Sequence, residues 1–532
     1  MTRFPGHAWR PDDLRQLSAA GMDLDEAERQ LELLRGPRRY VVLDRPAVLG
    51  DGLQRLEPQE LRACQRLHAD AARVGRWSKF VPASGAATRM FAWANEHDRT
   101  RLCERLADFA FFDALRSVCA DAGNDLDELV RQQAIEPIVS RLLNRPGLDY
   151  GSLPKGLLLF HRDAEGARTS FAEHLWEAAR NFRCEAGLVR AHFTVSPEHQ
   201  PLFEQHLETL HQPLRSRFDS QLEIRFSIQH PATDTLAIDA LGQPWRDSAG
   251  KLILRPGGHG ALIANLAQPD ADLVFVKNID NVLHPHHQEP THLWIQALGG
   301  RLIELQTQQQ AWLVELERHA GVRTEPLFEE SNGDVLAIAS PSASLAETLA
   351  AAERWLNEQF GAERLGPAVE SGVGLTERLE RVRERLDRPI RVGGMVRNAG
   401  EPGGGPFWVR EPDGSRSLQI VESAEIDLQD PHQRQIFQAA THFNPVFLAL
   451  GLRNHRGQLH DVLRYVNPNR VILTQKATQG QMIRVLERPG LWNGAMAHWN
   501  TVFVEVPETV FAPVKTVFDL LRDEHQPPRL TS

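Results

Sequence analysis

Several short stretches of the chain place charged and small residues in patterns suited to handling phosphate. KFVPASGAATRMF, residues 79–91, runs from an apolar segment into Ser84, Gly85, Ala86, Ala87 and Thr88, and Arg89 then opens an amphipathic helical pattern. Small side chains let backbone N–H groups approach a ligand closely, a helix start adds partial positive charge, and Arg89 adds a charged fork. The stretch matches neither GxxxxGKS/T nor GxGxxG, so a plain strand-to-helix turn is the other reading. In LPKGLLLF, Lys155 lies between a proline and a glycine. A lysine on a rigid turn needs less side-chain ordering to meet a phosphate than one on a free surface, and simple solvent exposure is the alternative.

In RPGGHGALIANL, Gly257, Gly258 and Gly260 flank His259 ahead of an expected helix, which lets backbone pass against a planar or anionic group; otherwise this is a glycine-rich turn with a surface histidine. DLVFVKNIDNVLHP carries a buried apolar strand, Leu273 to Val276, followed by Lys277, Asn278, Asp280 and Asn281. Asp280 stands where a carboxylate would hold Mg²⁺ bound to phosphates, and an Asx turn is the alternative. His284, His286, His287 and His292 follow, in a spacing that matches no standard zinc pattern. Nearer the end, Glu422 and Glu425 in SLQIVESAEID can hold sugar hydroxyls or face solvent, and Lys515 sits in FAPVKTVFDLL.

These residues need a scaffold that brings strand ends together. Of 532 residues, 42% are hydrophobic and 24% charged, the composition of an ordinary soluble globular protein, and the net charge of -10 argues against coating nucleic acid. An anionic ligand therefore needs a local pocket. Cys64, Cys103, Cys119 and Cys184 form neither a disulfide framework nor a CxxC metal pair, which suggests a reducing compartment. With no signal-peptide pattern and no membrane-length apolar run, the expected location is cytoplasmic, with no membrane partner.

Residues 11–75 read as helices and residues 1–78 as an N-terminal helical cap. From 79 onward short apolar strands (KFVPAS, GLLLF, RAHFTVS, LEIRFSIQ, DLVFVKNID) alternate with helices, which implies an α/β fold with a mainly parallel sheet covered on both faces. Residues 79–306 then form the first part of a nucleotide-binding core, 307–390 a helical insertion, and 391–532 the completion of the core with strands such as SLQIVES, RVILTQ and TVFVEVP. Ligands of such sheets bind beyond the carboxyl ends of the strands.

The order of the segments is more specific than any one of them. It resembles that of the sugar-nucleotide pyrophosphorylases, particularly the UDP-sugar and UDP-N-acetylhexosamine branch, by way of a bacterial family of unknown function, DUF4301. That family's glycine-rich loop ending in Thr-Arg is similar to residues 84–89, and its Pro-Lys-Gly segment to residues 154–156. Its base-reading Gln ahead of a proline resembles Gln229 and Pro231, its Pro-Gly-(His or Asn)-Gly segment resembles 256–260, and its Asp-Asn pair resembles Asp280-Asn281. Its Val-Val-Glu-Tyr-Ser-Glu segment is similar to 420–425, and its Phe-x-Pro-Val-Lys to 511–515. Here the loop has one glycine where the family has several, and Ser423 replaces the tyrosine.

The resemblance implies a Rossmann-like, GT-A-like nucleotidyltransferase core. It implies Mg²⁺ as cofactor, and a nucleoside triphosphate (UTP by branch) with a sugar 1-phosphate as partners, no nucleic acid among them. It assigns Ser84, Gly85, Ala86, Ala87, Thr88, Gln229, Gly257, Gly258, His259 and Gly260 to the nucleotide, and Arg89, Lys155 and Lys515 to catalysis. Asp280 falls to the metal, and Asn281, Glu422 and Glu425 to the sugar. A glycosyltransferase on the same architecture would want an acidic pair where KNIDN stands, and a nucleotide-sugar sensor without turnover is compatible with the depleted glycines.

Overall fold

The computed structural model of the chain describes residues 9–92, 96–267, 271–319, 344–361, 374–400, 403–478 and 480–528. Parts of the expected helical insertion, 320–343 and 362–373, lie outside these described residues. At the centre is a nine-stranded sheet in the order Val48–Leu49, Gly52–Gln54, Asn500–Glu505, Ile390–Arg397, His442–Gly451, Leu273–Val276, Trp77–Pro82, Leu188–Thr194, Gln221–Ser227. All pairings are parallel except the two made by His442–Gly451, so the sheet is mixed and mainly parallel, as expected.

Both faces of the inner strands are covered, which is why Leu273–Val276 is apolar at every position and wholly buried. One face carries helices Pro58–Arg73, Ser170–Phe182, Gln200–Phe218 and Glu289–His319, with Leu345–Phe360 and Leu375–Leu386 packed in the same core. The other is covered by the segment around 259–266 and by residues 491–499, through Phe80, Leu262, Val276, Leu448 and Trp499. Strand order reverses between Trp77–Pro82 and Leu273–Val276: the next two strands of this sheet, Leu188–Thr194 and Gln221–Ser227, lie to one side of Trp77–Pro82, and Leu273–Val276 returns to the other. At such a reversal the loops after adjacent strands diverge, which is where sheets of this kind form their ligand crevice.

Several sequence expectations change. Residues 43–54 are strand rather than helix: Leu43–Pro46 pairs with Gly404–Arg410, and Gly52–Gln54 extends the central sheet. Helices Pro11–Ala20 and Leu24–Arg35 share an apolar cluster with the small sheet of Ile472–Thr478, Gln481–Glu487 and Ala237–Ile238, while Pro58–Arg73 lies on the long helix. GLLLF is not a strand of the central sheet. Residues Lys155–Leu157 form a 3₁₀ turn and Leu159–Asp163 makes a hairpin with Gly166–Thr169; a short apolar run marks burial without fixing which sheet buries it. The helical run begins at Glu289 rather than 307; Gly299 and Gly300 break its apolar rhythm and mask its first half in the sequence pattern.

That glycine pair has a packing reason. A Cβ on Gly300 would lie 1.8 Å from the Cys64 carbonyl oxygen, so the long helix meets the backbone of Pro58–Arg73 directly. Alanine would gain about 1 kcal/mol of helix propensity, but overpacking against rigid backbone costs roughly 1–3 kcal/mol or more. Gly300→Ala is therefore expected to lower Tm in a thermal melt; an unchanged or raised Tm would show that the two helices stand further apart.

Candidate functional site

The crevice is walled by four segments that the chain brings together from distant positions. Strand Trp77–Pro82 delivers the turn 83–87, whose Ala83 N–H bonds Thr194 O at 2.8 Å. The turn is zipped to residues 153–155: Lys155 N–H donates to Gly85 O (3.1 Å) and Ala87 N–H to Leu153 O (3.2 Å). The Lys155 side chain is part-buried, its ammonium donating to Asp280 Oδ2 at 2.8 Å and to Val514 O at 2.7 Å. Val514 N–H returns to Asp280 O at 3.0 Å, and Ala512 N–H to Asn281 Oδ1 at 3.1 Å.

Of the predicted residues, this group gathers Ser84, Gly85, Ala86, Lys155, Asp280, Asn281 and Lys515. Ser84, Gly85 and Ala86 are exposed, and a Cβ on Gly85 would meet nothing within 4 Å, so the turn presents open backbone. Ala87 is buried and its N–H is taken, while Thr88 and Arg89 are exposed on the 3₁₀ turn Ala87–Phe91. An α-helix does not start at Arg89, and so short a turn carries little of a helix dipole. Lys515 is exposed, its N–H donating to Asp519 Oδ2 at 2.8 Å. Asn281 is buried and its Nδ2 has no protein partner.

Asp280 is the acid the sequence offered for a metal. Among the described residues no three His, Cys, Asp or Glu side chains form a set that could hold an ion. A lone, part-exposed carboxylate with Lys155 on one oxygen fits a Mg²⁺ that arrives on phosphates and keeps its waters, not a closed protein cage. The histidines after it are used singly: His284 Nδ1 accepts from His286 N–H and its Nε2 faces Arg162 O, while His292 Nδ1 accepts from Asn181 Nδ2 at 2.8 Å.

The remaining predicted residues form a second group on the other face of the sheet. His259 Nδ1 accepts from Leu491 N–H at 3.1 Å, its ring lies 5.1 Å from that of Trp492, and Nε2 stands 4.0 Å from Glu422 Oε1. Burial lowers the His259 pKa, so the neutral ring turns Nε2–H toward Glu422, a gap too long for a direct bond. Glu425 is committed to the fold: its carboxylate takes Arg470 at 2.7 Å, Asn493 Nδ2 at 2.9 Å and the Glu422 N–H at 2.9 Å. Two of the glycines also serve packing, since a Cβ on Gly257 would meet Thr233 O at 2.4 Å and one on Gly260 would meet Pro489 O at 1.9 Å. Gly258, at φ +78, keeps an open face. Gln229 donates to Asp234 Oδ1 at 3.2 Å.

Helix Ser170–Phe182 was not singled out by sequence. Along one buried side it carries Ser170, Glu173, His174, Glu177 and Asn181, at three- and four-residue spacing, each tied to the crevice or its supports. Ser170 Oγ and His174 Nε2 both donate to the carbonyl of Ile279, the residue before Asp280. Glu173 takes His161, Arg168 and Gln288, and His161 passes to His525 at 2.9 Å, which donates to Ala512 O at 3.0 Å. Glu177 lies between Lys79, at 2.7 Å, and Lys277, at 2.5 Å, all of them buried. Burial pulls Lys79 down to about 8 against the attraction of Glu177, while the two lysines outweigh burial and hold Glu177 well below the carboxylate range. The signals were present: a lysine inside an apolar strand, a lysine ending another, and a polar stripe in an otherwise apolar helix.

The Glu422 carboxyl is pushed from 4.5 up to about 7 by burial, with Glu425 and Glu487 adding repulsion. The folded state then holds this proton more tightly than the unfolded chain does, so its stabilising contribution is full below pH 4.5 and is lost as pH rises through 7. Denaturant titrations of Glu422→Gln should show its unfolding free energy gaining on the parent's between pH 4.5 and about 7. Parallel pH profiles would mean that the carboxyl is not desolvated.

Comparison with solved structures finds a UDP-glucose pyrophosphorylase of Leishmania major in complex with UDP-glucose at 14% identity and a TM-score of 0.44, over 97% of this chain and 79% of that one. A UDP-glucose phosphorylase of Trypanosoma brucei is similar at 13% identity and TM-score 0.43 (97% and 80% covered). The uridine diphosphate N-acetylglucosamine pyrophosphorylase of the same organism, in complex with an inhibitor, is similar at 12% and 0.44 (97% and 85%). Comparison with curated proteins gives no match. The family described as a domain of unknown function, DUF4301, matches residues 10–526, and the chain belongs to that family.

Proposed function

We propose that the chain is a nucleotidyltransferase of the pyrophosphorylase kind. A phosphate oxygen of a sugar 1-phosphate attacks the α-phosphorus of a nucleoside triphosphate; the new O–P bond forms as the bond to the β-phosphate oxygen breaks, and pyrophosphate leaves with the electron pair. The observation that supports this best is the hydrogen-bonded meeting of Gly85, Lys155, Asp280 and Val514 at the switch in strand order, with Lys515 beside it. Phosphoryl chemistry of this type asks little covalent work of a protein and much positioning and charge neutralisation. The exposed backbone of Ser84, Gly85 and Ala86 borders the triphosphate, and Arg89 and Lys515 meet its outer charge. Lys155, held in place by two acceptors, faces the developing charge with little reorganisation. Asp280, with Asn281 behind it, is the residue that would hold Mg²⁺ carried in on the phosphates. The ion would supply further charge neutralisation.

In the second group, Gln229, Gly258 and His259 lie toward base and ribose, and Trp492 adds an aromatic face. Glu422 is the carboxyl left to meet sugar hydroxyls, since Glu425 is spent on Arg470 and Asn493. The uridine branch rests on the order of the sequence segments.

Pyrophosphate release from each of the common nucleoside triphosphates, with Mg²⁺ and a panel of hexose, hexosamine and muramic acid 1-phosphates, tests the reading. One pair is expected to turn over, and chelation of Mg²⁺ should stop it. Asp280→Ala and Lys155→Ala should each lower kcat/KM roughly 10²- to 10³-fold. Turnover within a few-fold of the parent in either variant would remove these roles. Nucleotide-sugar binding without turnover across the panel would make the chain a binding protein instead.

A further inference from the structure

Strand Gln221–Ser227 ends the nine-stranded sheet, and among the described residues it pairs on one side only, with Leu188–Thr194. The opposite end of the sheet is guarded by brevity, since Val48–Leu49 is two residues long. Gln221–Ser227 lacks the usual guards of an edge: it has seven residues, pairs without a bulge, and contains neither proline nor lysine. Bonds at both ends fix its parity. Gln221 N–H donates to Gly187 O and Ser227 O accepts from Val195 N–H, both at 2.8 Å. In a parallel ladder the N–H and C=O of one residue point to the same side, so Gln221, Glu223, Arg225 and Ser227 turn their backbone groups inward and Leu222, Ile224 and Phe226 turn theirs outward. The side chains of these last three pack on the main core yet are only half-buried, whereas Val189, Ala191 and Phe193 beside them are buried. Glu223 and Arg225 are exposed, Glu223 lying 3.1 Å from Arg190 of the neighbouring strand.

We propose that this strand pairs antiparallel with the same strand of a second copy of the chain, about a two-fold axis through Ile224, so that the central sheet runs on through a homodimer. In that register Ile224 meets Ile224 of the partner subunit and Leu222 meets Phe226 of the partner subunit, each pair exchanging both backbone N–H···O bonds. The side chains agree with the backbone. Glu223 lies opposite Arg225 of the partner subunit, twice over by symmetry and in the closer, non-hydrogen-bonded kind of pair, while the apolar residues meet on the other face. A slide of two residues either way would set Glu223 against Glu223 of the partner subunit, or Arg225 against Arg225 of the partner subunit, so charge selects the register. The Arg225 guanidinium has five donors and can take this carboxylate in addition to contacts within its own chain.

Sedimentation equilibrium of the full-length chain over a concentration series, with Tm measured for every variant, tests the pairing. The parent should be a dimer. Glu223→Arg and Arg225→Glu each place like charges opposite one another at both pairs, and each should raise the dimer dissociation constant roughly tenfold or more. Mixing the two variants in equal amounts sets opposite charges against each other again, and should recover a dimer holding one copy of each, identified by a mass tag on one variant. Ile224→Pro removes an outward N–H while leaving the bonds to Leu188–Thr194 in place, and should be monomeric. Where Ile224→Pro does not fold, the mixing experiment decides. A parent that is monomeric throughout, a dimer that either charge variant leaves undisturbed, or variants that lose the dimer and do not regain it on mixing would each overturn the proposal.

Discussion

Helix Ser170–Phe182 is buried on nearly every side, and along one of those sides it is polar. Burying Glu173, His174 and Glu177 away from water is tolerable only if each finds partners, since an unpaired buried charge costs several kcal/mol. The partners come from elsewhere in the chain: lysines from two strands, the backbone of Ile279, the hairpin carrying His161 and Arg168, and through His161 the C-terminal His525. Each contact fixes the place of a segment that walls the crevice. The apolar side of the helix contributes ordinary burial, with Phe171 edge-on to Phe193 and Phe182 beside Phe275. Its polar side supplies direction, because hydrogen bonds and ion pairs accept only a narrow range of geometry where apolar contact accepts many.

The crevice takes its position from topology and its detail from this helix. Where strand order reverses, the loops after two adjacent strands diverge, and backbone groups there lack sheet partners. In this chain the turn 83–87 satisfies part of its need on residues 153–155, and the Asp280 segment on residues 512–514. Lys155 joins the two walls through Asp280 and Val514 O. A part-buried lysine with two fixed acceptors has lost much of its rotamer freedom during folding, so a ligand meeting it has little further ordering to impose.

The segments most legible in the sequence were those whose chemistry is local. Apolar runs bounded by small or charged residues marked the inner strands, and Leu273–Val276 with Asp280 just beyond could be placed without knowing its neighbours. The run from Leu158 to Phe160 is equally apolar yet packs in a cluster with Phe109, Phe111 and Tyr150 rather than in the central sheet, because local pattern does not encode the partner. The glycines around His259 suggested a ligand, whereas Gly257 and Gly260 answer to the carbonyls of Thr233 and Pro489, hundreds of positions away in the case of Pro489. Glu425 read as a free carboxylate for the same reason: its partners Arg470 and Asn493 are distant in sequence. The polar stripe of helix Ser170–Phe182 is not legible in the sequence, because polar residues at helical spacing ordinarily mark a solvated face and only the three-dimensional contacts reverse that meaning.

Charge ties these observations together. A chain of net charge -10 repels anions at long range, and salt limits that field to about 8–10 Å. An oligophosphate can be held only where local charge outweighs the whole. Beside the turn 83–87 stand Lys515 and Lys155, the latter paired with Asp280, while the buried Lys79 and Lys277 face Glu177 in a network that also holds Glu173, Arg168 and Asp163. An exposed cation such as Lys515 lies where water and salt weaken its field, whereas buried ion pairs are screened far less.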